Sequence, residues 1–229
     1  MAVILITGAS SGIGFQTAKD LAQQGHVVYG AARRLNKLEA LAPYGVKPLS
    51  LDITNEQSLS QAVATLIASE GRIDVLINNA GYGSYGAVED VSIDEARQQF
   101  EVNLFGMARL TQLVLPYMRA QREGRIINTS SMGGRLVSYM GAWYHATKYA
   151  VERHSAYQTQ ATKAAEGMRR QYSSRMMSDP KIISKAISKA VNQKRPRVRY
   201  LIGFGAKPLV LAKAILPTRV FDFIMMHAS

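Results

Sequence analysis

The stretch Thr7-Gly8-Ala9-Ser10-Ser11-Gly12-Ile13-Gly14 decides how the rest of this chain is read. It follows an unbroken apolar run, Ala2 to Ile6, and leads into a helical pattern from Ile13 to about Gln24. Glycines at such a strand-to-helix turn permit a tight bend, a close approach of backbone to a pyrophosphate, and close helix–strand packing. The start of the helix then offers unpaired N–H groups and a positive dipole end to phosphates. Alone, a glycine pattern also fits an ordinary tight turn. The strand before it and the helix after it favour a dinucleotide site built on Gly8, Ser10, Ser11, Gly12, Ile13 and Gly14.

Outward from that loop, short apolar runs alternate with helical patterns, which is the signature of βαβ units and a parallel sheet. Strands are expected at Val27–Ala31, Val46–Leu51, Ile73–Ile77 and Arg125–Asn128, since buried parallel strands read as unbroken apolar runs. Helices are expected at Glu56–Glu70 and from Ile93 to about Arg119, while Asn36 to Leu41 starts one and Ala142 to Val151 begins another. Beyond residue 153 the pattern changes. Ala156 to Met177 is polar, basic and helix-compatible, and Ser178-Asp179-Pro180 opens a helix to about Val191. A short strand is expected at Arg199–Ile202.

At the end of the second strand, an acidic residue would accept the ribose hydroxyls of NAD(H). This chain has Ala31-Ala32-Arg33-Arg34 there, two guanidiniums that suit a 2′-phosphate, so NADP(H) is favoured and NAD(H) is the lesser expectation. Further on, Tyr144-His145-Ala146-Thr147-Lys148 sets a phenol and an ammonium one turn apart on one helix face. A nearby cation stabilises a phenolate, so Lys148 is expected to tune Tyr144 as a general acid/base. Ser131, thirteen residues before Tyr144, is placed to donate to a carbonyl oxygen.

Taken together these residues resemble the short-chain dehydrogenase/reductase family. The resemblance is carried by TGASSGIG at Thr7 to Gly14, Asp52, NNAG at Asn78 to Gly81, Asn103 in VNLFG, Ser131 in NTSSMGG, and Tyr144 with Lys148 in YHATK. It covers residues 1 to 152 in family order and spacing. It implies a single α/β domain over residues 1–229, a Rossmann-type doubly wound parallel sheet in a three-layer α/β/α sandwich. It also implies hydride transfer between NADP(H) and an alcohol or ketone. By the same resemblance Tyr144 protonates the developing alkoxide, Ser131 steadies that oxygen, Lys148 holds the nicotinamide ribose, and Asn103 anchors a relay water. Asp52 and Ile53 would meet the adenine end, Asn79, Ala80 and Gly81 would line the cofactor, and the long helices would pair subunits into a homodimer or homotetramer.

One departure from the family stands out. In the family, the Tyr–Lys helix continues for several turns and a sixth strand ends in Pro-Gly. Here YHATKYAVE runs into Arg153-His154-Ser155, and the chain contains no Pro-Gly dipeptide. Half a helix, a strand and the start of the substrate loop are missing between about Val151 and Ala156. If the molecule holds residues that this sequence omits, the chain has a break near residue 154. A real deletion would make a catalytically impaired NADP(H)-binding regulator the alternative to an enzyme.

The composition agrees with a soluble globular protein of 229 residues, 47% apolar and 19% charged, without cysteine. No disulfide framework or thiolate metal site is open to it, so a reducing, cytoplasmic setting is expected. Its four histidines have no ligand spacing, so no metal is expected. The net charge of +12 first suggests an acidic macromolecular partner. But residues 1–152 hold 13 basic and 13 acidic side chains, and residues 153–229 hold 15 and 3. The excess belongs to the last third alone, which has no nucleic-acid recognition motif. The basic, apolar tail from Leu209 to Met226 could lie on a membrane surface, although such stretches more often cover a cleft or a partner subunit. Tyr82, Tyr85, Met132 and Trp143 flank the candidate site as an apolar substrate wall or as packing.

Overall fold

A computed structural model of the chain describes residues 1–136, 140–153, 179–203, 206–217 and 220–221. These fall into two compact units. The first is drawn from Met1–Gly81, Phe105–Thr129 and Pro180–Tyr200, the second from Tyr82–Leu104, Ser130–Asp179 and Leu201–Ser229.

The first unit is a parallel sheet flanked by helices. Among the described residues five strands, β1 (Val3–Thr7), β2 (Val27–Ala32), β3 (Lys47–Ser50), β4 (Val75–Asn78) and β5 (Arg125–Asn128), run in the order β3-β2-β1-β4-β5. Every residue of β1 is buried, the state that an uninterrupted apolar strand between two covered faces requires. Side chains alternate across the sheet. Ile4, Ile6, Val28, Val75 and Ile77 pack in one cluster with Ala18 and Leu21 of helix α1 (Gly12–Gln23) and Ile187 and Val191 of helix α6 (Pro180–Asn192). Leu5, Ala31 and Leu76, of the opposite parity, are also buried, as are Leu66 of α2 (Glu56–Glu70) and Leu110 and Val114 of α4 (Gly106–Gln121). Helices α1 and α6 pack together, as do α2 and α4. This is the parallel sheet that the alternation of apolar runs predicts, in the α/β sandwich that the family resemblance implies. The strand order reverses between β1 and β4, so the C-terminal end of β1 is the switch point where ligands bind in open α/β sheets.

The boundaries of α2 and β5 match the expectation, and α2 is delimited by its ends. Asn55 Oδ1 accepts from Ser58 N at 2.8 Å, and Gly71 closes the helix at φ +69. Elsewhere the chain differs. Asn36–Leu41 does not form an α-helix but 3₁₀ turns at Leu35–Lys37 and Glu39–Tyr44, where Pro43 lacks a donor and disfavours the helical conformation just before it. The single long helix expected from Ile93 is α3 (Ile93–Phe100), a π turn at Glu101–Phe105, and then α4. Gly106 starts α4 against Ile53, whose carbonyl oxygen would stand 2.1 Å from a Cβ at that position.

Arg199–Ile202 is not a strand, which corrects the sequence expectation. A strand needs a neighbour to satisfy its backbone. Beside β5 the described residues supply a helix end instead. The Arg125 guanidinium donates to the carbonyls of Ala190, Val191 and Gln193, a cation at the C-terminus of α6. The helix expected at Ala156–Met177 and the break expected near residue 154 lie outside the described residues.

The second unit holds α3, a 3₁₀ turn at Met132–Gly134, α5 (Ala142–Arg153) and α7 (Ala206–Ile215). On α7 Leu211 and Ile215 are exposed, while Lys213 Nζ donates to the carbonyl of Arg135 at 2.5 Å and lies 3.4 Å from the Tyr149 hydroxyl. None of the described helices is long and apolar enough to cross a membrane.

Candidate active site

The glycine loop sits where β1 gives way to α1. Gly8 and Gly12 adopt positive φ, +69 and +57, which glycine tolerates without strain. Gly14 is required by contact, because a Cβ there would stand 2.3 Å from Gly8 O and 2.6 Å from Asn79 Nδ2. Asn79 and Ala80 are tied to the same strand end. The Thr7 hydroxyl accepts from both of their amides at 3.0 Å, and Asn79 Nδ2 donates to Thr7 O at 3.1 Å. Ser11, the N-cap of α1, makes no side-chain bond to the helix amides. Ser11 and Gly12 are exposed, so the positive end of α1 is open to an anion.

The other expected cofactor residues belong to the same unit. Arg33 and Arg34 follow β2 directly and are exposed. Asp52 Oδ1 accepts from the Thr54 amide at 3.0 Å and the Thr54 hydroxyl at 2.8 Å, while its own amide donates to Ser58 Oγ at 2.9 Å. Asp52 thus shapes the turn into α2, and Ile53 is buried beside Gly106. Gly81 is exposed at the end of the NNAG run.

Asn103, Ser131, Tyr144 and Lys148 all fall in the second unit. Asn103 lies in the π turn and is buried. Its Oδ1 accepts from Tyr82 N at 3.0 Å, and its Nδ2 donates to Tyr82 O at 2.8 Å and Thr147 Oγ1 at 3.1 Å. Thr147 in turn donates to Tyr144 O at 2.7 Å. The π turn thereby anchors the loop at Tyr82 to the helix that carries Tyr144, in line with the frequent use of such bulges at functional sites. Ser131 caps the 3₁₀ turn, its Oγ accepting from Gly133 N at 3.1 Å, so its own proton is not used in that bond.

On α5 the Lys148 ammonium stands 5.9 Å from the centre of the Tyr144 ring. Lys148 is 7% exposed, and burial pushes its pKa down from 10.5 to about 8. A desolvated ammonium is a strong field source, because little water screens it from the phenol one turn away. Tyr85 packs its ring 5.4 Å from that of Tyr144. The arrangement offers a phenol to move a proton, a cation to favour the phenolate, and a serine hydroxyl to steady a developing oxyanion.

Two participants escape the sequence reading. Thr147 links Asn103 to α5, and His145, set aside for want of metal-ligand spacing, is 2% exposed with Nδ1 3.0 Å from Gly133 O. The spacing of Asn103 and Thr147 in the chain gives no sign that they touch. The burial of His145 follows from the glycines at 133 and 141, which a closer reading of those positions could have suggested.

Comparison with known proteins places this geometry in context. The family model described as short chain dehydrogenase matches residues 2–166. The 3-ketodihydrosphingosine reductase of Bacteroides thetaiotaomicron is 48% identical over 154 residues, 67% of this chain and 55% of that protein. The chain thus spans about half the length of that relative. The uncharacterized oxidoreductase YbbO of Escherichia coli is 30% identical over 252 aligned positions, covering 97% of this chain and 93% of its own. That alignment is longer than the 229 residues here, so the relative carries residues with no counterpart in this chain. A short-chain dehydrogenase from Streptomyces avermitilis superposes with a TM-score of 0.83 at 31% identity, over 97% of this chain and 95% of that one. An alcohol dehydrogenase from Thermococcus sibiricus, solved with 5-hydroxy-NADP, superposes with a TM-score of 0.64 at 30% identity, over 67% and 68%.

Proposed function

The chain belongs to the short-chain dehydrogenase family, and we propose that within it the protein is an NADP(H)-dependent oxidoreductase that interconverts a secondary alcohol and a ketone of apolar character. The observation that carries this reading is the gathering of Asn103, Ser131, Tyr144 and Lys148 in one compact unit, with Lys148 desolvated beside the phenol. Tyr144 donates the proton to the reduced oxygen, or takes it in the reverse direction. The free proton of Ser131 holds that oxygen as charge develops. Lys148 favours the phenolate and offers donors to ribose hydroxyls. Both amide hydrogens of Asn103 are spent on Tyr82 and Thr147, so a relay water meets it as a donor, at a lone pair of Oδ1 or at its backbone carbonyl.

The residues of the glycine loop fit a dinucleotide. The open helix end at Ser11 and Gly12, and the close packing that only glycine permits at Gly14, suit a pyrophosphate. Gly8, Ser10, Ile13, Asn79, Ala80 and Gly81 would complete that cradle, with Asp52 and Ile53 at the adenine end. Arg33 and Arg34 would pair with a 2′-phosphate, which favours NADP(H). When bound, the dinucleotide supplies the hydride equivalent. An apolar ketone is supported by the half-exposed Tyr82 and Tyr85 and by the 3-ketodihydrosphingosine reductase among the relatives. Exposed Phe105, the residue before α4, and exposed Tyr117 on α4 support subunit pairing.

The second reading, a dinucleotide-binding protein without turnover, is favoured by one observation. The alignment with YbbO exceeds this chain in length, and the expected last strand forms no part of the sheet. Both follow if the block expected after Val151 is truly deleted. The two readings separate in one assay: NADPH consumption with a panel of long-chain and cyclic ketones. The parent is expected to turn over, Tyr144→Phe to lose about 10²–10⁴-fold in kcat while binding NADPH normally, and NADH to bind more weakly than NADPH. Binding without turnover across the panel supports the second reading.

A further inference from the structure

The buried histidine of the second unit has no part in the proton chemistry above. Its ring lies between two backbone segments that approach too closely for any side chain. A Cβ at Gly133 would stand 2.7 Å from His145 Nδ1 and 3.1 Å from Tyr144 Cε1, and a Cβ at Gly141 would stand 2.6 Å from His145 Nε2. The ring is 2% exposed and meets the Tyr144 ring nearly edge-on at 5.8 Å.

The chemistry of its hydrogen bond is one-sided. Nδ1 lies 3.0 Å from the Gly133 carbonyl, which can only accept, so Nδ1 carries a proton and donates. Burial pushes the ring pKa below its ordinary value, with the Gly133 carbonyl opposing that shift, so the ring is a neutral Nδ1–H imidazole near pH 7. The amide of the same glycine is equally committed, because Gly133 N donates to Ser131 Oγ at 3.1 Å. His145 therefore grips, by its carbonyl, the residue whose amide grips the serine.

We infer that His145 is a positioning residue for the reaction, fixing the Ser131 hydroxyl relative to Tyr144 through Gly133. This rests on the oxidoreductase reading, since it assigns the hydroxyl the task of holding the reacting oxygen. Tyr144 and His145 are consecutive on α5, so the tyrosine and the serine turn are referenced to one stretch of helix. Neither Ser131 nor Tyr144 is then free to drift without the other, which matters because misplacement by about 1 Å can cost two orders of magnitude in rate.

The test is a double-mutant cycle with a donor-restoring control. His145→Leu in the full-length protein is expected to lower kcat about tenfold or more, with KM for the dinucleotide and NADPH affinity unchanged. Ser131→Ala is expected to lose about 10²–10³-fold, and adding His145→Leu to it is expected to cost little more. His145→Asn, whose amide Nδ2 falls near the imidazole Nδ1, is expected to recover most of the loss. Two results overturn the inference: a His145→Leu protein that keeps kcat within about twofold of the parent, or a His145→Leu change that costs as much in the Ser131→Ala background as in the parent.

A second readout needs no turnover. Nitrogen-15 NMR of the histidine ring in the intact protein is expected to show the neutral Nδ1–H tautomer at pH 7. A neutral Nε2–H ring contradicts the inference even if the single variant is inactive for want of folding. A parent protein that shows the Nδ1–H tautomer but reduces no carbonyl refutes the oxidoreductase reading and leaves the His145–Gly133–Ser131 chain standing.

Discussion

The unit that carries the glycine loop and the unit that carries Tyr144 shape their candidate sites by different means. The first buries aliphatic strands and helix faces together with the uncharged Thr7, Thr17, Asn78, Ser184 and Ser188, and its glycine loop is shaped by backbone: positive φ at Gly8 and Gly12, forced contact at Gly14, an uncapped helix start. Among its described residues the second buries Gln99, Asn103, His145, Thr147 and the charged Lys148, and its candidate catalytic geometry is shaped by side-chain hydrogen bonds. A backbone-built anion site is robust, since dipoles and amides come with the fold. A desolvated polar site is costly, because each buried group must be paired or else destabilises the fold. The difference locates the stability–function conflict in the second unit.

The largest expected effect is at Lys148. The unfolded lysine keeps its proton to about 10.5 and the folded one only to about 8. Between those values the unfolded chain holds more protons, so stability rises with pH; below about 8 the cost of the buried charge is fully present. That cost is about 3 kcal/mol in the apoprotein. Lys148→Met is therefore expected to abolish turnover yet raise the unfolding free energy by a few kcal/mol near pH 7, with the gain fading from pH 8 upward. Urea titrations at several pH values check it, and a variant less stable than the parent at pH 7 contradicts the contrast.

Thr147→Val comes next. It removes the donor to Tyr144 O and the acceptor for Asn103 Nδ2 without changing the side-chain shape, and about 1–3 kcal/mol of stability should be lost together with part of kcat. The smallest effect is in the first unit. Asn55→Ala deletes the N-cap of α2 and is expected to cost about 1 kcal/mol while leaving kcat and NADPH affinity unchanged. If Asn55→Ala impaired catalysis as much as Thr147→Val, the division of labour drawn above would fail.

How far the sequence reveals this division follows the same line. The parallel strands and the glycine loop were legible because they obey local rules: buried parallel strands are apolar throughout, and glycine marks where backbone must turn or touch. The four catalytic candidates rest on resemblance and spacing. The π turn was not legible, since a single wide turn over five positions leaves the apolar periodicity within the helices on either side. Nor was the role of His145, which depends on a carbonyl twelve residues away and on burial that no spacing records. The strand expected at Arg199–Ile202 failed for a different reason, because pairing is a property of the neighbour as much as of the strand.

Transfer of deuterium from NADPH labelled at the nicotinamide C4 to the carbinol carbon of a reduced ketone tests the central claim most directly. The account predicts label on that carbon with the parent protein and none above background with Tyr144→Phe at equal dinucleotide occupancy. A parent protein saturated with NADPH that transfers no label to any ketone of the panel, or a Tyr144→Phe variant that transfers it at the parent's rate, would contradict it.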